Sequence, residues 1–253
     1  GVVRELMLDP TLPMERFHIS IEAPKGIDLR TGSSLIPAAA ITRTESKLGT
    51  QVEVELGRRD AEKDIEYSVP SDQPQYPSFR FSTGVSWQTV AASYERIVSR
   101  QTNMDDAKSL LRELGLNAPS FSNLQQAAES LTAQLHKNVR YTGVEFGQAA
   151  IIPNPPPEVI NRHYGDCKDK ATLLMTMLRS VGFDAHVALL RVGTLGDVDP
   201  ELPGFGLFDH AIVFVAGKQP LWIDATADSA RVGTLPIGDQ GRLALIVDGS
   251  TTT

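Results

Sequence analysis

The only cysteine of the 253-residue chain is Cys167, in the stretch HYGDCKDKATLLMTML (163–178). Asp166 is a good N-cap and the apolar residues that follow have helical spacing, so Cys167 is predicted to be the first residue of a helix. There, unpaired backbone N–H groups and the positive end of the helix dipole favour a thiolate over a thiol. Free cysteines are also often small buried hydrophobic residues, so position alone supports a structural thiol and a nucleophile about equally.

A thiol nucleophile needs a base, and the base needs an orienting group. His210 is the favoured base because the predicted strands 208–215 and 221–226 are joined by the short connection AGKQP. A hairpin centred on Gly217 would place His210 opposite Asp224, on the same face of the sheet. This prediction requires an odd number of residues in the loop, because an even number would place the two side chains on opposite faces.

Asp224 lies inside the apolar stretch LWIDAT. A lone buried carboxylate is costly there, and a histidine partner would offset that cost. Cys167, His210 and Asp224 therefore form a coherent predicted catalytic triad. In such a triad the imidazole takes or holds the thiol proton, and the carboxylate fixes the imidazole tautomer and stabilises the imidazolium.

The other four histidines have simpler interpretations. His18 and His136 are predicted to be solvated, His163 lies in the turn before the cysteine, and His186 reads as a satisfied core histidine. A metal site built from His163, Cys167 and His186 is the least favoured idea, since no pair has an established zinc spacing. No metal and no cofactor is predicted. Asp166 and its neighbours are interpreted as capping and supporting groups.

The elements that would position these residues divide the chain into a β-rich first part and a mixed second part. Alternating apolar and polar residues are typical of half-buried strands in an antiparallel sheet or sandwich, and they occur near 17–22, 51–56 and 65–69. The Pro-rich stretch 68–79 is a candidate linker.

Helical spacing predicts three helices after that linker. Ser86 is a predicted cap of the first, Gly115 is predicted to close the second, and Ser122 with Gln125 reads as a capping box for the third. The chain then reads as irregular, rich in glycine and proline, from Tyr141 until the cysteine-bearing helix. Four strands are predicted beyond that helix, at 184–192, 208–215, 221–226 and 242–248.

Composition limits the class of protein. Hydrophobic residues are 41% and charged residues 22% of the chain, as in ordinary globular proteins. A formal net charge of −7 without a basic stripe argues against a nucleic-acid partner. No apolar stretch approaches the roughly 18–20 residues of a membrane span. No leader is recognisable at the start, so any signal peptide is expected to have been removed. A single cysteine excludes a disulfide scaffold but leaves the compartment open.

Three segments of the sequence, in the order in which they occur, resemble a known protein family. The stretches YGDCKDKATLLMTMLRSVGFDAHVALL, FDHAIVFV and LWIDAT, within residues 138–226, are similar to the core of the bacterial transglutaminase-like superfamily. The block VRYTGVEFG (139–147) resembles one branch of it, which carries a β-rich N-terminal domain of uncharacterised function. The resemblance implies an α+β, papain-like core, with a cysteine-bearing helix packed on an antiparallel sheet. A sandwich-like all-β domain over 1–84 would precede a catalytic domain over 85–253.

The resemblance also implies a reaction. Cys167, His210 and Asp224 carry over as nucleophile, base and orienting group of an enzyme that forms a thioester with a peptide or protein substrate. Hydrolysis is favoured over transglutaminase cross-linking, since water is abundant and a cross-linker must exclude it and bind an amine. A binding or scaffold module that keeps the fold without turnover is the remaining alternative. Tyr141 and Gln148 are candidate oxyanion or cleft residues beside the backbone N–H of Cys167, although a packing aromatic and a solvated loop residue are the simpler interpretations of the two side chains.

Members of that branch are usually exported, and their N-terminal domain usually starts further upstream. The resemblance therefore implies that this chain is a fragment of a periplasmic or otherwise extracytoplasmic protein. It implies no oligomeric state.

Overall fold

The computed structural model describes residues 1–62, 73–116, 120–143, 150–192 and 196–249. The strands are β1 (Val3–Met7), β2 (Phe17–Pro24), β3 (Arg30–Ser34), β4 (Ile41–Glu45), β5 (Gly49–Leu56), β6 (Ser78–Ser82), β7 (Arg140–Tyr141), β8 (Tyr164–Gly165), β9 (Ala185–Leu190), β10 (His210–Val215), β11 (Leu221–Ile223) and β12 (Ala244–Ile246). The helices are α1 (Trp87–Gln101), α2 (Met104–Glu113), α3 (Leu124–Asn138), α4 (Pro156–Arg162) and α5 (Cys167–Ser180). The strand predicted at 65–69 lies outside the described residues.

Two compact units make up the chain. One combines residues 1–90 with 193–208, and the other combines residues 91–192 with 209–253. The predicted division into a domain over 1–84 and a domain over 85–253 stays a prediction.

The first unit is built from antiparallel strands. Two three-stranded sheets have the orders β1-β6-β3 and β2-β5-β4. In the second sheet the register pairs Ile19 with Val54 and Ile21 with Val52, so the predicted alternation does place one apolar face inward. Side chains from both sheets share one hydrophobic core, as the sandwich-like prediction requires. The buried members of this core are Ala23, Leu29, Ile36, Val52, Val54 and Phe79.

The second unit has a mixed α+β core, as predicted. Its four-stranded antiparallel sheet has the order β11-β10-β9-β12, so the histidine-bearing strand β10 lies at its centre. Helix α5 packs against β9 and β10, and α2, α3 and α4 pack around α5. Twelve of the fourteen residues of α5 are buried, including its lysines and threonines. The helix that begins at Cys167 is therefore the central packing element of the unit.

Two local predictions are wrong. The segment after Tyr141 contains a helix, α4, where an irregular chain was expected. Its first residue is Pro156, and proline is well tolerated there because the N–H it lacks would have no helical partner. The cap of α3 is Asn123, whose side chain accepts from the backbone N–H of Gln126, rather than Ser122. The first error misses a short helix and the second shifts the start of α3 by one residue, and neither changes the sheet.

Candidate active site

Cys167 is the first residue of α5, as predicted. The side chain of the N-cap, Asp166, accepts a hydrogen bond of 3.1 Å from the backbone N–H of Asp169. The side chain of Asp169 in turn accepts from the backbone N–H of Asp166, which completes a capping box. Cys167 itself is 6% exposed. The thiol therefore lies at the positive end of a rigid, buried helix.

A cluster of buried charges holds this helix terminus. Lys168 forms an ion pair with Asp166, and Arg162 of α4 forms one with Asp169. The backbone N–H of Asn154 donates to Asp169 Oδ1 over 2.7 Å. Burial raises the pKa of Asp166, and the hydrogen bond from Lys168 opposes that rise. Each buried carboxylate thus has a cationic partner, which fits the predicted supporting role of these residues.

His210 and Asp224 lie in direct contact. The distance from His210 Nε2 to Asp224 Oδ2 is 3.3 Å, and both side chains are largely buried. The second carboxylate oxygen, Oδ1, accepts from the backbone N–H of Thr226 over 2.8 Å and from its hydroxyl over 2.7 Å. Because Thr226 holds one oxygen, the other is fixed toward the imidazole. Asp224 is thus placed to orient the His210 ring.

The hairpin parity that the pairing required is confirmed, but its predicted centre is wrong. The last pair of strands β10 and β11 is Val215 with Leu221, so the loop 216–220 has an odd number of residues. The centre of the register is Lys218, one residue beyond Gly217. Asp224, just past the end of β11, therefore faces His210 diagonally rather than directly. Diagonal neighbours on one face remain within reach of long side chains.

Cys167 is the second partner of His210. Burial alone would lower the pKa of the His210 imidazole, but hydrogen bonds with Asp224 and Cys167 outweigh it and raise that pKa to about 10. Burial also favours a neutral Asp224, yet the hydrogen bond and positive charge of His210 keep the pKa of Asp224 below its ordinary value. His210 is accordingly an imidazolium at neutral pH, between a carboxylate and the sulfur. The structure brings all three predicted residues together.

A second acidic residue, Asp239, joins this group. It is 7% exposed, and burial raises its pKa to about 6, although the positive charge of His210 opposes the rise. His210, Asp224 and Asp239 each offer one ligand atom, and these atoms lie within 4.8 Å of one another. They are the one such group with metal-binding potential in the described part of the chain. The predicted lack of a metal stays a prediction, and His163 and His186 are not in this group.

Of the two predicted oxyanion residues, Tyr141 is among the described residues and Gln148 is not. Tyr141 is 47% exposed, in the two-residue strand β7 that pairs in parallel with β8. The backbone N–H of Thr142 donates to the carbonyl of Gly165 over 2.9 Å. This pairing places Tyr141 beside the segment that leads into Cys167. Gln148 lies outside the described residues, and neither role is tested.

Two further groups near the site were not predicted from the sequence. The hydroxyl of Tyr94 donates to the carbonyl of Ile151 over 3.0 Å; burial raises the pKa of Tyr94, and negative charge at Cys167 adds to the rise. Lys170 is fully buried, and its Nζ lies 3.4 Å from Asp228 Oδ1. Burial lowers the pKa of Lys170, and Asp228 opposes that change. Helical spacing predicted the helix that contains Tyr94 but no role for its hydroxyl, and nothing local marked Lys170 as buried.

Comparison with known proteins finds one matching family and similar solved structures. Residues 109–224 match the profile of the transglutaminase-like superfamily core. The fold is similar to the crystal structure of a candidate protease from Parabacteroides distasonis, at 17% identity and a TM-score of 0.65, over 92% of this chain and 48% of that one. A candidate cysteine protease from Cytophaga hutchinsonii is 15% identical with a TM-score of 0.40, over 91% of this chain and 76% of that one. This chain thus spans about half the length of the Parabacteroides protein. No curated protein matches it.

Proposed function

We propose that this chain, whose residues 109–224 belong to the transglutaminase-like superfamily, is a cysteine-dependent enzyme that hydrolyses a peptide or amide through a thioester. The observation that carries the proposal is the buried imidazole of His210, which forms hydrogen bonds with both Cys167 and Asp224. A histidine fixed between a thiol at a helix N-terminus and a carboxylate has the arrangement that activates a nucleophile.

The proposed reaction has two halves. The Cys167 thiolate attacks the substrate carbonyl carbon, and the His210 imidazolium gives its proton to the departing amine, which leaves a thioester and a neutral imidazole. The imidazole then takes a proton from water, and the resulting hydroxide attacks the thioester carbon. The sulfur leaves as a thiolate, so the imidazolium–thiolate pair is restored. Asp224 keeps the ring in one orientation in both halves.

The backbone N–H of Cys167 is the proposed donor to the oxyanion in each half. It belongs to the first turn of α5, where N–H groups point toward the helix terminus. Transfer of the acyl group to an amine would follow the same first half, with the amine in place of water. Hydrolysis is the proposed outcome because water needs no binding site of its own.

The low exposure of Cys167 favours a second candidate, a binding module that keeps the fold without turnover. Because a cysteine residue that is 6% exposed offers little surface to a substrate, the site would then be blocked in the native state. The two candidates differ in one property, which is whether the native thiol reacts with a small electrophile.

Alkylation of the native protein by iodoacetamide across pH 5 to 9, followed by intact-protein mass spectrometry, tests the proposal. We expect Cys167 to react at pH 6 in the wild type and to lose most of that low-pH reactivity in His210→Ala. His186→Ala is the matched control, since His186 also contacts an aspartate, Asp184, but follows the opposite end of α5 in the chain. Reaction only after unfolding would support the binding module. Identical profiles for the wild type and His210→Ala would exclude the triad.

A location outside the cytoplasm is also proposed, on the resemblance to an exported branch of the family. Within the described residues, no helix combines the length and apolar character that a membrane span requires. Fractionation of the native cells with an antibody to this chain tests the location. Recovery in the cytoplasmic fraction would contradict it.

A further inference from the structure

We infer that Asp239 is a proton-dependent positioning residue for the Asp224–His210 pair. When protonated, it donates a hydrogen bond to Asp224 and competes with His210 for that carboxylate. When ionised, it places a second negative charge beside the imidazolium and stabilises it. The inference rests on the proposed function, because it assigns Asp239 a role in the proposed triad.

The loop that carries Asp239 is held in one conformation. The backbone N–H of Asp239 donates to the carbonyl of Pro236 over 3.0 Å. The side chain of Gln240 donates to the carbonyl of Leu235 over 2.7 Å, and the side chain of Arg242 donates to that of Gly238 over 3.1 Å. These bonds on both sides of Asp239 fix its backbone, so its carboxyl has a defined position relative to Asp224.

Burial of the Asp239 carboxyl costs free energy, which is unexpected for a residue that has no role. It is 7% exposed, and its Oδ2 is buried without a hydrogen-bond partner among the described residues. One carboxyl oxygen of Asp239 lies within 4.8 Å of one of Asp224, and two buried carboxyl groups at that separation do not both ionise readily, so one of them tends to keep a proton. An asparagine or an apolar residue would fill the same space at lower cost. The acid is therefore better explained by its effect on Asp224 than by packing.

The charges that face Asp239 define the two states. They are the imidazolium of His210 on β10, the carboxylate of Asp224 after β11 and the guanidinium of Arg242 beside the loop. Burial and the charge of Asp224 raise the pKa of Asp239 to about 6, against the two cations. Asp224 keeps its charge, because its own pKa is lowered. The proton shared by the two acids therefore resides on Asp239, and it dissociates near pH 6.

The consequence is a two-step response of the site to pH. Below about pH 6 the neutral Asp239 donates a hydrogen bond to Asp224, and the hydrogen bond between Asp224 and His210 becomes weaker. Above it, two negative charges face the imidazolium, which then keeps its proton to a higher pH. Asp239 itself does not touch the sulfur or the substrate carbonyl in this scheme, so it acts only through Asp224 and His210.

The test is an NMR titration of isotope-labelled histidine in the whole chain, comparing the wild type with Asp239→Asn. Asparagine keeps the volume and can still donate to Asp224, but it never ionises. The wild-type His210 signal should show a small inflection near pH 6 before its main deprotonation. In Asp239→Asn that inflection should vanish, and the main midpoint should fall by about one pH unit, as expected for loss of a neighbouring negative charge.

Asp184→Asn is the matched control, since Asp184 also contacts a histidine, His186, but lies beyond the far end of α5. It should leave both features of the His210 curve unchanged. If Asp239→Asn fails to fold, a carbon-13 titration of the Asp239 carboxyl in the wild type provides the same test, and a midpoint near 4 would overturn the inference. Identical His210 curves for the wild type and Asp239→Asn would also overturn it. An ordinary His210 midpoint near 6.5 in the wild type would instead overturn the proposed function.

Discussion

Asp224 faces His210 diagonally across the β10–β11 hairpin, with 3.3 Å between Asp224 Oδ2 and His210 Nε2. Asp224 lies just after the short strand β11, and Thr226 holds its other oxygen with two hydrogen bonds. The turn after β11 therefore positions Asp224 against His210 as much as the sheet does. This explains how a carboxylate one residue beyond a strand can still fix a ring at the start of the neighbouring strand.

The first prediction concerns the charge of Asp224. Asp224→Asn should lower the pKa of His210 from about 10, because the negative charge beside the imidazolium is lost and a neutral amide oxygen is a weaker acceptor than a carboxylate. The measurement is the His210 titration by NMR, with Asp184→Asn as control. A His210 midpoint that stays at its wild-type value would show that Asp224 does not support the imidazolium.

The second prediction concerns the start of α5. Asp166→Ala should reduce the free energy of unfolding by about 3 kcal/mol, because it removes a helix cap and leaves the buried Lys168 without its partner. Asp166→Asn, which can still cap the helix, should cost less. Asn123→Ala removes the solvent-exposed cap of α3 and should cost about 1 kcal/mol. Urea denaturation measures all three, and equal losses for Asp166→Ala and Asn123→Ala would contradict the proposed role of the Asp166–Lys168 ion pair.

The third prediction concerns Lys170. Lys170→Met should change the free energy of unfolding by less than about 1 kcal/mol, because it removes a buried cation and leaves only a solvent-exposed partner. Asp228→Ala should cost about 2 kcal/mol, because it leaves that cation buried. Urea denaturation measures the free energy of unfolding of both variants, and the critical result is which of the two loses more stability. If Lys170→Met is the more damaging, the amino group makes a contribution beyond this ion pair.

The fourth prediction concerns stability against pH. Since the folded state holds the proton of Asp239 up to about pH 6, while an ordinary aspartate loses it near 4, the folded state binds more protons in that window. The Asp239 contribution to stability must then fall as the pH rises from 4 to 6. Asp239→Asn should match the wild type near pH 4 and be the more stable protein at pH 7. Urea denaturation at each pH measures this, and a constant difference between the two proteins would contradict it.

Much of the site could be predicted because its signals are local. An aspartate before Cys167, an acid three residues later and an apolar helical stripe define the capped helix without knowledge of the fold. Likewise, alternation alone identifies β2 and β5. The triad residues follow from these elements together with one assumption about loop parity. The resemblance to the transglutaminase-like superfamily then supplied the expected reaction.

The remaining features depend on contacts between distant residues. The hairpin centre is an exception, because the predicted strands already leave the observed loop 216–220, whose midpoint is Lys218, and the choice of Gly217 was wrong by one residue. Helix α4 was missed because its proline-rich start reads as a loop, although proline suits the first helical position. Asp239 lies in an ordinary polar turn, and only tertiary packing brings it to Asp224. No local pattern distinguishes such an acid from a solvated one.

The proposed function depends most on the pair formed by the His210 imidazolium and Cys167, which we expect to be hydrogen-bonded in the native protein. The most direct measurement is the NMR titration of His210 in the wild type and in Cys167→Ala. We expect a wild-type midpoint at about pH 10 and a clearly lower midpoint in Cys167→Ala, since the sulfur is one of the groups that stabilise the protonated imidazole. A midpoint near 6.5 in both proteins, as for an ordinary histidine, would contradict it.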